Sequence, residues 1–264
     1  MDTPDTIVLV HGLYLTPRSW ESWIQRYQVR GYRAIAPAWP GMEAEVEALR
    51  ADPAPIASQR VEAILDHLER IVRELPTIPI LMGHSFGGAF VQVLLDRGVG
   101  AAGVVIDSAP TRGVLDVPLS TVRANLPLLR NPFRRMAAVM PTEAQFHYAF
   151  TNTLSARDAT PYYDRYAIPG SRNVLLTGAL MNLDRDTPLR VDYGKPDRAP
   201  LLFISGSADH IIPPSVNRHN ARRYGSGTVE LKPFPDRPHF TCAVPGWEAI
   251  ADAALDWAVA KTTH

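Results

Sequence analysis

The chain has 264 residues, with 27 basic and 27 acidic side chains and therefore a formal net charge of zero. This balance argues against the strong overall charge that is typical of proteins bound to nucleic acid or to anionic membrane surfaces. The single cysteine, Cys242, excludes an intrachain disulfide, so we expect packing alone to hold the fold.

The N-terminal residues favour a cytoplasmic protein. Residues Met1 to Asp5 are acidic and lead directly into an apolar run, whereas a signal peptide begins with basic residues. No apolar run approaches the roughly 20 residues that a membrane-spanning helix needs. We therefore expect no membrane partner, and the neutral charge balance predicts no nucleic-acid partner either.

Short apolar runs recur along the chain, and five of them are apolar at nearly every position. They lie at Ile7–Val10, Tyr32–Ala36, Ile78–Met82, Gly103–Ile106 and Leu201–Ile204. Runs without alternation are typical of strands that are buried on both faces of a parallel sheet. A sixth run, Val229-Glu230-Leu231, alternates and is expected nearer an edge of the sheet.

Helical patterns separate these runs. Residues Ile56–Leu75 carry an apolar stripe at helical spacing and stop before Pro76. Phe86–Asp96 is followed by Gly98, a typical helix stop, and Trp247–Ala260 forms a last helical pattern. Alternating strands and helices predict an α/β fold with a mostly parallel central sheet that is flanked by helices.

The stretch from Thr111 to Asp197 departs from this alternation and contains no convincing strand. Helix starts recur in it, at Pro141-Thr142-Glu143 and at Ser155–Asp158, which matches a capping box. We interpret residues 111–197 as a helical insertion into a core formed by residues 1–110 and 198–264. The many aromatic side chains of the insertion either form its own core or line a pocket.

Gly83-His84-Ser85-Phe86-Gly87 matches the pattern Gly-x-Ser-x-Gly between a predicted strand and a predicted helix. A serine that projects from such a tight turn needs small neighbours, and the helix N-terminus directs free N–H groups towards it. The pattern in this context predicts that Ser85 is a nucleophile.

A nucleophilic serine that attacks a carbonyl group needs two hydrogen-bond donors for the developing oxyanion. The backbone N–H of Phe86 is one candidate because it follows the serine. The second is expected in the His11-Gly12 turn after the first strand, where we favour the N–H of Leu13 over that of Tyr14.

Among eight histidines, His239 is the best candidate for the base, because its loop follows the last predicted strand and can reach the strand ends. Asp209 follows the strand Leu201–Ile204 and a glycine turn, so its carboxylate can orient the imidazole. Asp107, at the end of the strand Gly103–Ile106, is the alternative acid.

In these motifs and their order, Ser85, Asp209 and His239, the chain resembles the α/β-hydrolase superfamily from about Ile7 to Ala260. The resemblance implies the α/β-hydrolase fold, with residues 111–197 as a helical cap over the serine. It also implies a hydrolase that forms an acyl-enzyme on Ser85 and needs no metal and no organic cofactor. The serine disfavours relatives that use an aspartate nucleophile.

The expected partner is a small-molecule acyl substrate, namely a small to medium, largely apolar carboxylic ester, lactone or thioester. An acyltransferase or cofactor-free perhydrolase, a C–C hydrolase or lyase, and a ligand receptor without turnover remain alternatives. For the assembly we expect a monomer or a homodimer.

Overall fold

In the computed structural model, which describes residues 4–129, 131 and 133–262, six parallel strands form one central sheet. The strands of the described residues are, in chain order, β1 (Thr6–Val10), β2 (Arg33–Ile35), β3 (Ile80–His84), β4 (Ala102–Ile106), β5 (Ala138–Val139), β6 (Gly170–Ser171), β7 (Leu201–Gly206) and β8 (Val229–Phe234). The central sheet has the order β2-β1-β3-β4-β7-β8, and every neighbouring pair is parallel. The strand predicted near an edge, β8, is an edge strand.

Helices cover both faces of the sheet. They are α1 (Glu21–Val29), α2 (Val46–Ala51), α3 (Ala54–Ala57), α4 (Val61–Arg73), α5 (Phe86–Asp96), α6 (Leu119–Leu129), α7 (Glu143–Phe150), α8 (Ala156–Tyr166), α9 (Arg172–Leu180), α10 (Pro214–Arg223) and α11 (Trp247–Thr262). The apolar faces of α4 and α5 pack with alternate side chains of the strands on one side, and α1 and α11 pack with the others on the opposite side. The four inner strands, β1, β3, β4 and β7, are therefore buried on both faces, as their largely apolar sequences predict.

Two predictions of local structure are wrong. The helix predicted over Ile56–Leu75 is interrupted, because Arg60 has an extended backbone (φ −128°, ψ 137°) and the Gln59 side chain donates to the carbonyl of Pro40. α4 therefore begins only at Val61. The apolar spacing of the stripe continues across this break, so it did not indicate the interruption.

The stretch from Thr111 to Asp197, for which no strand was predicted, contains the short antiparallel pair β5–β6 as well as four helices. A strand of two residues has no periodicity by which a sequence could indicate it. The predicted helix starts are formed: Thr142 makes a full capping box with Gln145, and Ser155 accepts the N–H of Asp158. This stretch lies between β4 and β7, both of which end at the same edge of the sheet.

Candidate active site

Ser85 lies in a sharp turn between β3 and α5. Its backbone adopts φ 56° and ψ −123°, a conformation that costs energy for any residue with a side chain. A Cβ atom on Gly83 would overlap the backbone of Gly87, and one on Gly87 would overlap the carbonyl of Val10. Only glycine fits at these two positions, so the turn that the Gly-x-Ser-x-Gly pattern predicts is formed.

A buried hydrogen bond joins His239 to Asp209. The Nδ1 atom of His239 lies 2.7 Å from Oδ2 of Asp209, and both side chains are fully buried. The other carboxylate oxygen of Asp209 accepts the N–H groups of Ile211 (2.7 Å) and Ile212 (2.9 Å). Asp209 is thus fixed and turns Nδ1 of the imidazole towards itself, while Nε2 has no hydrogen-bond partner among the described residues.

Asp107, the alternative acid, makes no hydrogen bond to His239. Its Oδ1 atom accepts the N–H of Gly206 at 2.6 Å, and its Oδ2 atom has no partner in the described part of the chain. Burial, and then the negative charge of Asp209, raise the pKa of Asp107 well above its ordinary value. The structure therefore brings Asp209, rather than Asp107, to the imidazole.

His84 links the serine turn to the loop that carries His239. Its Nε2 atom lies 2.7 Å from the backbone carbonyl oxygen of His239, and the two ring centroids are 4.7 Å apart. Burial lowers the pKa of His84 well below its ordinary value, so the ring is neutral and Nε2–H is the donor. His239 is thereby held beside the residue that precedes Ser85, although Nε2 of His239 makes no hydrogen bond to Ser85.

Leu13 and Phe86, the predicted oxyanion donors, both lie in the wall of the cavity that includes Ser85. Neither backbone N–H donates a hydrogen bond within the described part of the chain. A Cβ atom on Gly12 would come within 2.7 Å of Cβ of Ser85, so glycine lets this loop pass directly against the serine. The carbonyl of Tyr14, the alternative donor residue, accepts the N–H of Ile168 and so ties the loop to the inserted segment.

Arg237 organises the loop of His239 and was not recognised in the sequence. Its guanidinium donates to the Thr241 hydroxyl (2.8 Å) and to the carbonyl oxygens of Thr241 (2.9 Å) and Val244 (3.1 Å). It also donates to the carbonyl of Pro245. The sequence offers only an arginine in a proline-containing loop, which does not distinguish this role from an exposed charge.

A cavity of about 190 Å³ adjoins Ser85. The core contributes Leu13, Phe86 and Ile211 to its wall, and the inserted segment contributes Phe150 and Met181. Most of the wall is aliphatic or aromatic, so the cavity suits an apolar group.

Neither a metal cluster nor a membrane-spanning helix is found in the part of the chain that the structure describes. Within residues 4–129, 131 and 133–262, no group of three or more His, Cys, Asp or Glu side chains is arranged to hold a metal ion. None of the helices in these ranges has the length and apolar character needed to cross a membrane.

The parallel sheet, the strained serine turn and the buried acid–histidine pair together define the α/β-hydrolase class. The model of the alpha/beta hydrolase family matches residues 7–253, and the chain belongs to this family. The predicted family and fold are thus confirmed.

The individual relatives share low sequence identity with this chain. A monoacylglycerol lipase of Mycolicibacterium smegmatis is 27% identical over 188 residues, which cover 70% of this chain and 63% of that protein. The chain therefore matches less than two thirds of that relative's length. The structure of a Paleococcus ferrophilus monoacylglycerol lipase is similar with a TM-score of 0.67 at 19% identity, over 99% of this chain and 97% of the other. A pyrethroid hydrolase from Sphingobium faniae JZ-2 has a TM-score of 0.68 at 18% identity, over 99% and 100%.

Proposed function

We propose that this protein is a serine hydrolase of small to medium, largely apolar carboxylic esters, with Ser85 as nucleophile, His239 as base and Asp209 as the orienting acid. The observation that carries the proposal is the buried 2.7 Å hydrogen bond between Asp209 and His239, whose Nε2 has no partner among the described residues. Lactones and thioesters belong to the same proposed class, since they present the same carbonyl chemistry. The lipase and hydrolase names of the relatives agree with it.

The proposed reaction begins when Ser85 Oγ attacks the ester carbonyl and His239 Nε2 takes its proton. The N–H groups of Leu13 and Phe86 stabilise the oxyanion, because both are free within the described residues and both line the cavity with Ser85. Asp209 stabilises the imidazolium that forms. The alcohol leaves with the proton of His239, and water then attacks the acyl-enzyme with His239 again as base.

Residues 111–197 act as a cap in this proposal and select the substrate. They supply much of the cavity wall, including Val114, Phe150, Leu175 and Met181. An apolar acyl or alcohol group that fills this space gains the free energy of its removal from water, about 25 cal/mol per Å² of buried apolar surface. A charged group would lose its hydration without a partner of opposite charge, apart from Asp116 at the cavity wall.

The first test is the Ser85→Ala variant with p-nitrophenyl esters of increasing acyl length. We expect turnover to fall to the background rate while the circular dichroism spectrum stays that of the wild type. A fluorophosphonate should label the wild type on Ser85, as mapped by mass spectrometry. Ser205→Ala is a matched control, because Ser205 is also buried next to a strand end but lies outside the cavity wall; it should keep its label. Labelling of the Ser85→Ala variant would refute the nucleophile.

The second test compares the two buried acids. Asp209→Asn should lower kcat by about 10⁴-fold, because the amide favours the wrong tautomer of His239. Asp107→Asn should leave kcat within about threefold, because Asp107 does not contact His239. The reverse result would assign the acid to Asp107. When an alcohol is added to these assays as an acceptor, the ratio of ester product to free acid measures acyl transfer relative to hydrolysis.

A further inference from the structure

Exposed apolar side chains are concentrated in one part of the molecule. Among the described residues, every large apolar side chain that is strongly exposed lies between Leu115 and Leu183, apart from Val29 and Ile78. Isolated exposed apolar residues need no explanation, but a concentration of them indicates an interaction surface.

The outer face of α6 forms the centre of this concentration. Leu119, Val122 and Leu126 recur at spacings of three and four residues and are 88%, 40% and 50% exposed. Thr121 and Asn125, on the adjoining face, line the cavity beside Ser85. A helix in water normally turns its apolar face inward, so α6 presents to solvent a face that a partner would cover.

Other exposed apolar residues flank α6 in the sequence or lie at the end of α9, which contacts α6. Val117 precedes α6, and Phe133 follows it and is 95% exposed. Leu180 and Leu183 lie at the end of α9, which packs against α6. We call these exposed apolar residues the cap patch: Leu115, Val117, Leu119, Val122, Leu126, Phe133, Leu180 and Leu183. Because Val117 and Val122 also line the cavity, the cap patch is continuous with the wall of the proposed active site.

Positive charges outnumber negative ones in the sequence around α6, although Asp184 directly follows Leu183. Arg123, Arg134 and Arg135 are exposed, and none forms an ion pair with an acidic side chain in the described residues. Arg123 instead lies over the ring of Tyr148. Elsewhere on the surface some arginines, such as Arg26, are paired with carboxylates, and others, such as Arg157, are not, so the local number of arginines matters here. Residues 113–140 of the sequence contain four of them, Arg123, Arg130, Arg134 and Arg135. Asp116 is the one acidic residue between positions 113 and 140 of the sequence.

An apolar face flanked by unpaired arginines fits an anionic lipid surface. Aliphatic and aromatic side chains enter the boundary between headgroups and acyl chains, and arginines remain at the phosphate level. A second copy of the chain fits less well, because a two-fold interface would bring the arginines of both cap patches together. The zero net charge of the chain is an average that hides this local excess.

We propose that the cap patch docks the protein on the surface of an anionic lipid bilayer, with Leu119, Leu126 and Phe133 in the interface. The entrance to the Ser85 cavity then faces the lipid, and an apolar ester passes from the bilayer into the cavity without crossing bulk water. Docking does not require turnover, so vesicle binding can be tested independently of the proposed catalytic residues.

Co-sedimentation with vesicles tests the docking. We use phosphatidylcholine vesicles with and without about 40% phosphatidylglycerol, and the full chain as wild type or as the Leu119→Gln/Leu126→Gln double variant. The wild type should bind the anionic vesicles at least about tenfold more tightly than the neutral ones and should dissociate at high salt. The double variant should bind at least about tenfold more weakly. Val29→Gln/Ile78→Gln is the matched control, because it removes two exposed apolar residues outside the cap patch and should bind as the wild type does.

Two further measurements distinguish the alternatives. Arg134→Gln/Arg135→Gln should weaken binding to anionic vesicles about tenfold or more and leave binding to neutral vesicles unchanged. All variants should keep the melting temperature and the hydrolysis of p-nitrophenyl acetate, because none of the substituted residues lines the Ser85 cavity. Absence of vesicle binding by the wild type, equal binding by the leucine variant, or a dimer in sedimentation velocity that the leucine variant abolishes would each overturn the proposal. Vesicle binding by a wild type that has no esterase activity would support docking while refuting the proposed function.

Discussion

The Asp107→Asn variant shows how the ionisation of Asp107, which the fold makes unfavourable, affects the stability of the protein. Asp107 is fully buried, with Oδ1 bound to the N–H of Gly206 and Oδ2 without a partner in the described residues. The asparagine side chain keeps the shape and the oxygen that accepts from Gly206, and it replaces the unpaired oxygen with an NH₂ group that cannot ionise. The difference between the two proteins therefore reports mainly the proton on Asp107.

The raised pKa of Asp107 determines the direction in which the free energy of unfolding changes with pH. Burial, and then the charge of Asp209, hold the pKa of folded Asp107 above the value of 3.8 that applies to the unfolded chain. Between these two pKa values the unfolded protein releases the proton and the folded protein keeps it, so the wild type loses free energy of unfolding as the pH rises. The limit is about 1.4 kcal/mol per pH unit between the two pKa values. The amide of the Asp107→Asn variant has no such dependence, so the variant gains stability relative to the wild type as the pH rises above the unfolded value of 3.8.

The measurement is urea denaturation of both proteins at several pH values, followed by circular dichroism. The difference in free energy of unfolding should grow with pH, and the variant should be the more stable protein at neutral pH. A difference that does not change with pH, or that changes in the opposite direction, would show that Asp107 is ionised in the fold.

Two further substitutions test how the serine turn is held. His84→Ala removes the 2.7 Å contact to the carbonyl of His239, so kcat for p-nitrophenyl esters should fall about tenfold or more with little change in KM. His84→Gln should restore part of the lost kcat, and a change in KM alone would contradict a positioning role. Gly87→Ala should cost about 3 kcal/mol or more of unfolding free energy in thermal denaturation, because its Cβ would overlap the backbone at Val10. Gly225→Ala, where the added Cβ meets nothing within 4 Å, is the control and should melt as the wild type does; equal melting of both variants would contradict the steric argument.

The central sheet was predictable because burial on both faces leaves a simple mark on the sequence. The predicted strands and helices of the core lie within about two residues of their observed bounds, except for β8, which continues three residues further, and the interrupted helix before Pro76. The core helices α1 and α2 were not predicted. The strand predicted from Ile78 begins at Ile80 instead, since Pro79 has no N–H and Ile78 is exposed. The serine turn was predictable for a different reason, because steric overlap at Gly83 and Gly87 permits no other residue. The contact between Asp209 and His239 could be predicted only from the α/β topology, because that topology brings together the ends of the strands that precede the two residues.

The inserted segment was the least predictable part, because it is placed by contacts with the core rather than by its own pattern. A Cβ atom on Gly170 would come within 2.6 Å of the Tyr14 ring, and one on Gly178 within 2.8 Å of the Phe86 ring. Both aromatic residues belong to the proposed oxyanion loops and both line the cavity. Two glycines therefore let the segment lie directly against the site, so that changes in this segment alter the shape of the cavity.

The apolar outer face of α6 was unpredictable for the same reason. Helical spacing predicts an apolar stripe but not the direction in which it points. Here the side of α6 that packs inward includes Thr121 and Asn125.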